Sequence, residues 1–216
     1  MKTYPFTESD FQIFQIPGLS ERMEAIQQQI QPKFKQIGPI MADFLTDSLQ
    51  QPFYVHIAKH ARRTVHPPEQ TWLAWSTHHR GYKPYPHFQF GIDAQSLFIW
   101  FSIFRECKQK ERFSHDLSER LMEWWVQLPA DFLFSEDHTK EERIPIGELD
   151  TKTIAAKLER LRQIKKAEFL CGLQIPKQTS EKMDWNALLE RIKQTFHTLF
   201  PLYKITQISE QNSFLA

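Results

Sequence analysis

The residues best able to do chemistry are concentrated in one stretch of the chain, residues 53–90. Six of the nine histidines lie there, with five cationic residues and one acidic residue, Glu69. Because the formal net charge of the 216-residue chain is only +1, this cationic stretch is a local feature and not part of a generally basic surface. The histidines are His56, His60, His66, His78, His79 and His87, and the cations are Lys59, Arg62, Arg63, Arg80 and Lys83.

This stretch predicts a binding site for an anion. An arginine guanidinium presents paired, planar donors that match a phosphate or a carboxylate, and nearby aromatic rings can stack on a base. If the strands that carry the cations pair antiparallel, we expect the cations to flank them at comparable heights. The small net charge favours a small phosphorylated or nucleotide-like ligand over nucleic acid. The predicted ligand-binding residues are Lys59, His60, Arg62, Arg63, Trp72, Arg80, Tyr82, Lys83 and His87.

Three other interpretations of the stretch stay open. The cations are also typical of a solvated strand edge, where Lys and Arg deter aggregation, with acids such as Glu21 and Glu24 as partners. Alternation places His56 and, if the strand extends, His60 on one face, and His87 on a similar face of another strand. An enzyme would use such a His-lined cavity for acid–base hydrolysis of a phosphorylated metabolite. A structural or interaction protein without a small ligand is the third interpretation.

Metal binding and covalent catalysis find little support in the sequence. In a strand, His56 and His60 would lie about 13 Å apart, too far for one metal ion, and the adjacent His78 and His79 would point to opposite faces. The chain has no HExxH, CxxC or GxSxG motif and no Gly-rich phosphate loop. Its two cysteines lie alone in apolar runs, as buried reduced thiols do. We therefore expect no metal and no cofactor.

A second charged stretch surrounds His138, where four acidic residues lie within seven positions. This composition is typical of a solvated hairpin tip, and we expect no site there. The acidic residues are Glu136, Asp137, Glu141 and Glu142.

The elements that must position these residues follow from the spacing of the apolar side chains. Alternation at every second position predicts strands, and spacing by three and four predicts helices. The predicted strands cover residues 53–59, 71–79, 87–92, 96–104, 131–135, 143–147 and 167–175. The predicted helices cover residues 19–50, kinked or split at Pro32 and Pro39, then 110–128, 152–165 and 184–200, the last ended by Pro201.

Hairpin-connected strands flanked by helices indicate the α+β class, here a single domain with one mostly antiparallel sheet. Hydrophobic residues make up 41% of the chain, which is enough for a sizeable core. No apolar run reaches the roughly 18 residues of a membrane-spanning helix, and the first residues lack the apolar core of a signal peptide. We therefore expect a cytoplasmic protein that does not bind membranes. These patterns leave the oligomeric state open.

Three runs of the sequence resemble the YktB family of Gram-positive bacteria. They are DFQIFQIPGLSERMEAIQQQIQPKF at 10–34, HIAKHARRTVHPPEQTWLAWS at 56–76 and HRGYKPYPHFQFGI at 79–92. The resemblance implies a curved antiparallel sheet around a long helix, of the TBP-like or helix-grip type. It brings no assigned substrate, cofactor or catalytic residue. Family members commonly carry VNPP where this chain has Val65-His66-Pro67-Pro68, so the resemblance argues against an essential role for His66.

Overall fold

The computed structural model of the protein describes residues 5–140 and 142–213, with side chains described up to residue 207. Within that part of the chain, seven strands form one sheet. The strands are β1 (Tyr54–Ile57), β2 (Gln70–Ser76), β3 (His87–Asp93), β4 (Ser96–Ile103), β5 (Leu133–Ser135), β6 (Ile144–Pro145) and β7 (Phe169–Pro176). Their order across the sheet is β1-β2-β3-β4-β7-β5-β6. Strand β1 pairs antiparallel with β2, and β5 pairs antiparallel with both β6 and β7.

Eight α-helices accompany the strands in the described residues. They are α1 (Glu8–Gln12), α2 (Leu19–Ala25), α3 (Gln31–Leu49), α4 (Lys110–Glu119), α5 (Leu121–Trp124), α6 (Thr151–Gln163), α7 (Lys177–Ser180) and α8 (Trp185–Ser213). A π-helical segment, Ile26–Ile30, joins α2 to α3.

The predicted α+β class with a mostly antiparallel sheet is confirmed. Each of the seven predicted strands is present, with bounds that differ by up to three residues, and each of the four predicted helical regions contains a helix. The last helix extends to Ser213, well beyond its predicted end at residue 200. A tight turn joins β3 to β4, in which the Asp93 carboxylate accepts from the backbone N–H groups of Gln95 and Ser96, each at 2.8 Å. The single-domain organisation and the helix-grip or TBP-like form of the sheet stay predictions.

The chain divides into two compact units that interleave along the sequence. The first takes the chain up to His79, Gln89–Ile99 and Gln174–Gln194, and the second takes Arg80–Phe88, Trp100–Leu173 and the chain from Thr195 onward. Strands β3, β4 and β7 and helix α8 therefore each contribute residues to both units.

In the first unit, helix α3 packs on strands β1 and β2. Its buried residues follow the three- and four-residue spacing of one helix face, and they include Phe34, Ile37, Met41 and Leu45. The indole of Trp75 donates a buried hydrogen bond to the carbonyl of Gly38 at 2.9 Å, which ties β2 to the helix. The helix continues through Pro39, so the expected break is found only at the π-helical segment just before Pro32.

In the second unit, four buried phenylalanine rings form the centre of the core. Their centroids lie 5.1–5.8 Å apart along the chain of contacts from Phe101 through Phe113 and Phe169 to Phe134. Aromatic pairs favour tilted or edge-on contacts at such distances. Helix α4 packs against α6 in the same unit.

Helix α8 passes through Pro201, where the sequence predicted its end. A proline inside a helix costs about 3 kcal/mol because it removes one backbone hydrogen bond. The next turn buries Leu202, Tyr203 and Ile205 almost completely, and each such side chain contributes about 1.5–3 kcal/mol. The Tyr203 ring lies 5.4 Å from the ring of Phe88. Tertiary burial therefore outweighs the local cost of the proline.

Gly91, in the first-unit part of β3, is a point of close approach between strands. A Cβ atom at this position would lie 2.6 Å from the carbonyl oxygen of Thr71 and 2.2 Å from the ring of Phe98. The side chain of Phe98 occupies the space that glycine leaves open, so residue 91 must lack a side chain.

We expect Gly91→Ala to destabilise the protein by about 1–3 kcal/mol, because both a backbone carbonyl and a buried ring must move to admit the methyl group. Urea unfolding followed by circular dichroism measures this change. Gly81→Ala is the matched control, since a Cβ there has no atom within 4 Å, and we expect a change within about 0.5 kcal/mol. Equal stabilities of the two variants would contradict the packing described for Gly91.

Candidate functional site

The hairpin of β1 and β2 divides the predicted cations into two groups. The strand register runs from the Ile57–Leu73 pair at one end to the Tyr54–Ser76 pair at the other. The loop of residues 58–69 closes the first end, and the chain leaves β2 at the second. The register therefore places one group of cations on the loop at the first end, and the expectation that all five flank the strands at comparable heights stays a prediction. The first group is Lys59, Arg62 and Arg63, and the second, in the other compact unit, is Arg80 and Lys83.

The loop of residues 58–69 carries an unbalanced positive charge. Its cations Lys59, Arg62 and Arg63 are all exposed, and among the described side chains no carboxylate lies within 4 Å of any of them. The acids that a solvated edge would use as partners, Glu21 and Glu24, form no such pair. Arg63 bonds within its own loop, donating from Nη1 to the carbonyls of His66 at 3.2 Å and Pro67 at 3.4 Å.

Arg22 of helix α2 holds the end of this loop in place through a hydrogen bond to its backbone. The residue is 7% exposed, and its guanidinium donates to the carbonyl of Ile16 at 2.7 Å and to that of Pro68 at 3.0 Å. Burial lowers the pKa of Arg22, Glu69 raises it, and the nearby positive charge of Arg63 lowers it further. A charged group taken out of water needs such partners. Arg22 therefore fixes the end of the loop while adding to its positive charge.

Sequence reasoning missed Arg22 because it occupies one position of an otherwise ordinary helix. The only available signal was its position. Arg22, Ile26 and Ile30 are spaced by four residues, so the arginine lies on the helix face that carries the apolar side chains.

His60, near the start of the loop, adopts the left-handed backbone region, with φ of 49°. This conformation is uncommon for residues other than glycine, and it ends β1 at Ile57, so the possibility that the strand extends to His60 is excluded. The His60 Nε2 lies 3.1 Å from the hydroxyl of Thr71, and its ring meets the ring of Trp72 edge-on at 5.5 Å. Trp72 is 8% exposed, so it offers little surface for stacking on a ligand.

The histidines at the other end of β2 are arranged differently from the prediction. Strand β2 ends at Ser76, three residues earlier than expected, and the rings of His78 and His79 stack at 5.2 Å with an angle of 15° between their planes. The expectation that they point to opposite faces is therefore wrong. The His56 ring nitrogen Nε2 lies 3.0 Å from the carbonyl of His78, and burial lowers the pKa of His56.

In the second unit, His87 lies inside a cluster of rings. It has no exposed surface, and its Nδ1 lies 2.8 Å from the carbonyl of Tyr85. The rings of Tyr82 and Phe104 meet it edge-on at 5.0 and 4.8 Å. Of the other predicted residues of this group, Arg80 is exposed and Lys83 is half-buried. In this conformation the His87 imidazole does not face solvent, where a substrate would reach it.

The ring cluster continues to an ionic network, centred on the buried carboxylate of Glu168, that the sequence did not predict. Phe104 stacks on His138 at 4.4 Å, and the His138 ring donates from Nδ1 to Glu168 at 2.6 Å. Arg105 donates from Nε to the other oxygen of the same carboxylate at 2.9 Å. Burial alone would raise the pKa of Glu168, but the hydrogen bonds and charges of His138 and Arg105 lower it to about 2.

His138 is therefore half-buried and paired, and its expected place on a solvated hairpin tip is wrong. The partner, Glu168, lies 30 residues further on in the apolar run that becomes β7. The sequence signal was an acidic residue at a buried position of a strand, which implies a partner elsewhere. Glu141, which was assigned to the same tip, lies outside the described residues.

Asp137, His138 and Glu168 place three metal-ligating atoms within 4.8 Å of one another. The donors are already engaged, however. The Asp137 carboxylate accepts from Thr139 at 2.9 and 2.7 Å, and Arg105 approaches both Glu168, at 2.9 Å, and Asp137, at 4.0 Å. The guanidinium of Arg105 supplies a positive charge to both carboxylates, so the cluster forms an ionic network without a metal ion.

Comparison with known proteins defines the family. A family model described as a domain of unknown function, DUF1054, matches residues 6–203. The chain belongs to the DUF1054 family. It is 42% identical to a UPF0637 protein of Bacillus cytotoxicus over 95% of this chain and 99% of the relative. It is 43% identical to a UPF0637 protein of Shouchella clausii over 93% and 94% of the two chains. The YktB resemblance seen in the sequence is thereby confirmed.

The DUF1054 family match includes the loop of residues 58–69 and the residues of the ionic network around Glu168. Its description names no activity, so the function must be argued from the geometry of the side chains. In the part of the chain that the structure describes, none of the helices combines the length and the apolar character needed to cross a bilayer.

We expect Glu168→Gln to lower the free energy of unfolding at pH 7 by about 3–5 kcal/mol, because Arg105 and His138 then lose a buried anionic partner. Urea unfolding measures the loss. Glu148→Gln is the control, since Glu148 is exposed and outside the network, and we expect a change within about 0.5 kcal/mol.

The effect of Glu168 depends on pH in a defined direction. Because the pKa of Glu168 in the folded protein, about 2, is below the ordinary value of 4.5, its contribution is complete above pH 4.5 and is lost as the pH falls towards 2. The stability difference between wild type and Glu168→Gln therefore shrinks over this interval. A difference that stays constant from pH 7 to pH 3 would contradict the paired, charged state of Glu168.

Both cysteines are expected to resist thiol reagents in the native protein. Cys107 and Cys171 are buried and free, burial raises the pKa of Cys107 to about 11, and burial also raises the pKa of Cys171. Since the thiolate is the reactive form, modification by Ellman's reagent at pH 8 should be slow until urea unfolds the chain. Rapid reaction of one thiol in the native state would contradict its buried position.

Proposed function

We propose that the loop of residues 58–69 binds a small anionic ligand of the phosphorylated or nucleotide-like class. The observation that carries the proposal is the unbalanced charge of Lys59, Arg62 and Arg63, which no carboxylate among the described side chains approaches within 4 Å. A set of cations that served only as a solvated edge would normally mix with acids. Here the loop contains one acid, Glu69.

The buried charge of Arg22 strengthens this argument. Arg63 lies close enough to Arg22 to lower its pKa, so the folded protein holds like charges together at the base of the loop. Glu69 raises the pKa of Arg22 by more than Arg63 lowers it, so this carboxylate offsets part of the repulsion. A phosphate group beside Arg62 and Arg63 would relieve it and would accept charge-assisted hydrogen bonds from both guanidinium groups.

The loop is also held in place before any ligand arrives. Arg22 bonds to the carbonyl of Pro68, and Arg63 bonds to those of His66 and Pro67. His60 is fixed between Thr71 and Trp72. A binding loop that is already ordered loses little conformational entropy on binding.

The geometry favours recognition of the anionic group over recognition of a base. His60 covers the edge of Trp72, so the indole has little free surface, and the net charge of +1 gives no general attraction for nucleic acid. The roles predicted for Arg80, Tyr82, Lys83 and His87 remain predictions from the sequence, and the proposal rests on the first group alone. We also propose a cytoplasmic location, which two free cysteines support.

The test is equilibrium binding of inorganic phosphate, ribose 5-phosphate and adenosine 5′-monophosphate to the full chain at low salt. We expect at least one of the phosphate esters to bind, and Arg62→Ala/Arg63→Ala to weaken its affinity by about tenfold or more, since charge-assisted hydrogen bonds contribute roughly 1.5–3 kcal/mol each.

The control is Arg112→Ala/Arg162→Ala, which removes the same charge from exposed positions of the other unit and should leave the affinity unchanged. Failure of all three probes to bind, or equal affinities for the two double variants, would reject the proposal. A single-stranded oligonucleotide that bound more tightly than the phosphate esters, with a steep loss of affinity in salt, would overturn the assignment of a small ligand.

A further inference from the structure

The second unit contains a cavity of about 260 Å³, and none of the residues that line it belongs to the loop of residues 58–69. Its apolar part is formed by Phe134 and Ile144, at the ends of β5 and β6. Its polar part comes from the chain that follows β5, from helix α6 and from the turn before β7. A concave surface with an apolar wall and a few convergent polar groups is the usual form of a small-molecule site.

The cavity is lined by three cations and three carboxylates, but two of the carboxylates are engaged. Glu136 accepts from Lys157 at 2.8 Å and from Arg160 at 3.2 Å. Asp137 accepts from the backbone and hydroxyl of Thr139. Glu142 is then the one lining carboxylate for which no ion pair is found within the described residues.

The three cations and three carboxylates of the lining balance in formal charge, and Lys157, which pairs with Glu136 at 2.8 Å, adds one positive charge beside them. Lys140 and Lys166 line the cavity and are exposed. Among residues 5–140 and 142–207, no carboxylate lies within 4 Å of either ammonium group. Arg160 adds a guanidinium that it shares with Glu136. Lys140 and Lys166 are therefore the groups of the lining available to pair with an anionic group of a ligand.

Buried charges hold the two segments that carry these lysines. The Glu168 carboxylate accepts from the backbone N–H of His138 at 3.0 Å as well as from its ring, which fixes the turn that leads to Lys140. The buried Lys110 donates to the carbonyls of Ile164, Lys165 and Ala167 at 2.8, 3.0 and 3.3 Å, which fixes the turn that carries Lys166. Both segments therefore have a fixed conformation before a ligand binds, and binding would not have to order them.

We propose that this cavity binds a small organic molecule that carries a phosphate or a carboxylate. The anionic group contacts Lys140, Lys166 and Arg160, the carbon skeleton lies against Phe134 and Ile144, and Glu142 accepts a hydrogen bond from a hydroxyl group of the ligand. A phosphorylated sugar or a sugar acid has these features. The proposal is independent of the loop at residues 58–69, which belongs to the other compact unit.

The test is a titration of the ¹⁵N-labelled full chain, followed by backbone amide chemical shifts, with four separate probes. The probes are glucose 6-phosphate, glucuronate, glucose and inorganic phosphate. We expect glucose 6-phosphate or glucuronate to shift the amides of residues 134–144 and 160–166, and to bind at least tenfold more tightly than glucose. The two anionic sugars distinguish phosphate from carboxylate as the recognised group.

Lys140→Ala/Lys166→Ala should weaken the binding of the preferred probe at least tenfold. Lys152→Ala/Lys182→Ala, which removes the same charge at exposed positions outside the cavity lining, should have no effect. Glu142→Gln should strengthen the binding of inorganic phosphate two- to threefold, because it removes the unpaired carboxylate of the lining.

Several outcomes would overturn the proposal. They are the absence of shifts at residues 134–144 and 160–166 with every probe, equal affinities for the two lysine double variants, or inorganic phosphate binding as tightly as the sugar anions. Arg62→Ala/Arg63→Ala should leave these shifts unchanged. Loss of the cavity shifts in that variant would show that the signal arises from the other site, so failure of one proposal is distinguishable from failure of the other.

Discussion

Buried charge is the constraint on which the loops of this protein depend. A charged side chain that leaves water must recover its hydrogen bonds inside the protein, and here three of them do so by bonding to backbone groups of loops. Arg22 holds the loop of residues 58–69 through Pro68, Lys110 holds the turn before β7, and Glu168 holds the turn at His138. Each charge therefore converts a segment without regular structure into one with a fixed conformation.

Glu168 shows why such an arrangement persists in spite of its cost. Burial raises the pKa of a carboxyl group, yet the pKa of Glu168 is about 2 because His138 and Arg105 stabilise its charged form. A buried ion pair contributes little net stability compared with an apolar core, but removal of one partner is strongly destabilising. Its larger effect is on conformation, since the carboxylate binds both the ring and the backbone of His138.

The two candidate sites follow from the same constraint. In each unit, exposed cations lie on a segment that a buried charge holds in place: Arg62 and Arg63 on the loop fixed by Arg22, and Lys166 on the turn fixed by Lys110. The exposed cations face no carboxylate within ion-pair distance in the described part of the chain. A fixed segment with exposed cations is an arrangement that suits an anionic ligand, because the ligand does not have to order the segment on binding.

The period of the apolar residues was enough to predict the elements of this fold. Alternation at every second position located all seven strands, and the three- and four-residue spacing located the principal helices, because those periods reflect the geometry of strands and helices directly. The prediction from apolar spacing failed where tertiary packing competes with local conformational preference. Pro201 lies inside α8 because the following turn buries Leu202, Tyr203 and Ile205, and β2 stops at Ser76 where the rings of His78 and His79 stack.

The sequence by itself determined the α+β class, the family and the cationic stretch at residues 53–90, since each follows from local composition and spacing. Only the tertiary structure decided which charges meet. It placed Arg22 against the loop of residues 58–69 and paired His138 with Glu168 across 30 residues. Such pairs join residues that are distant in the chain, and no local pattern records them, because the free energy of a buried charge depends on neighbours that only folding supplies.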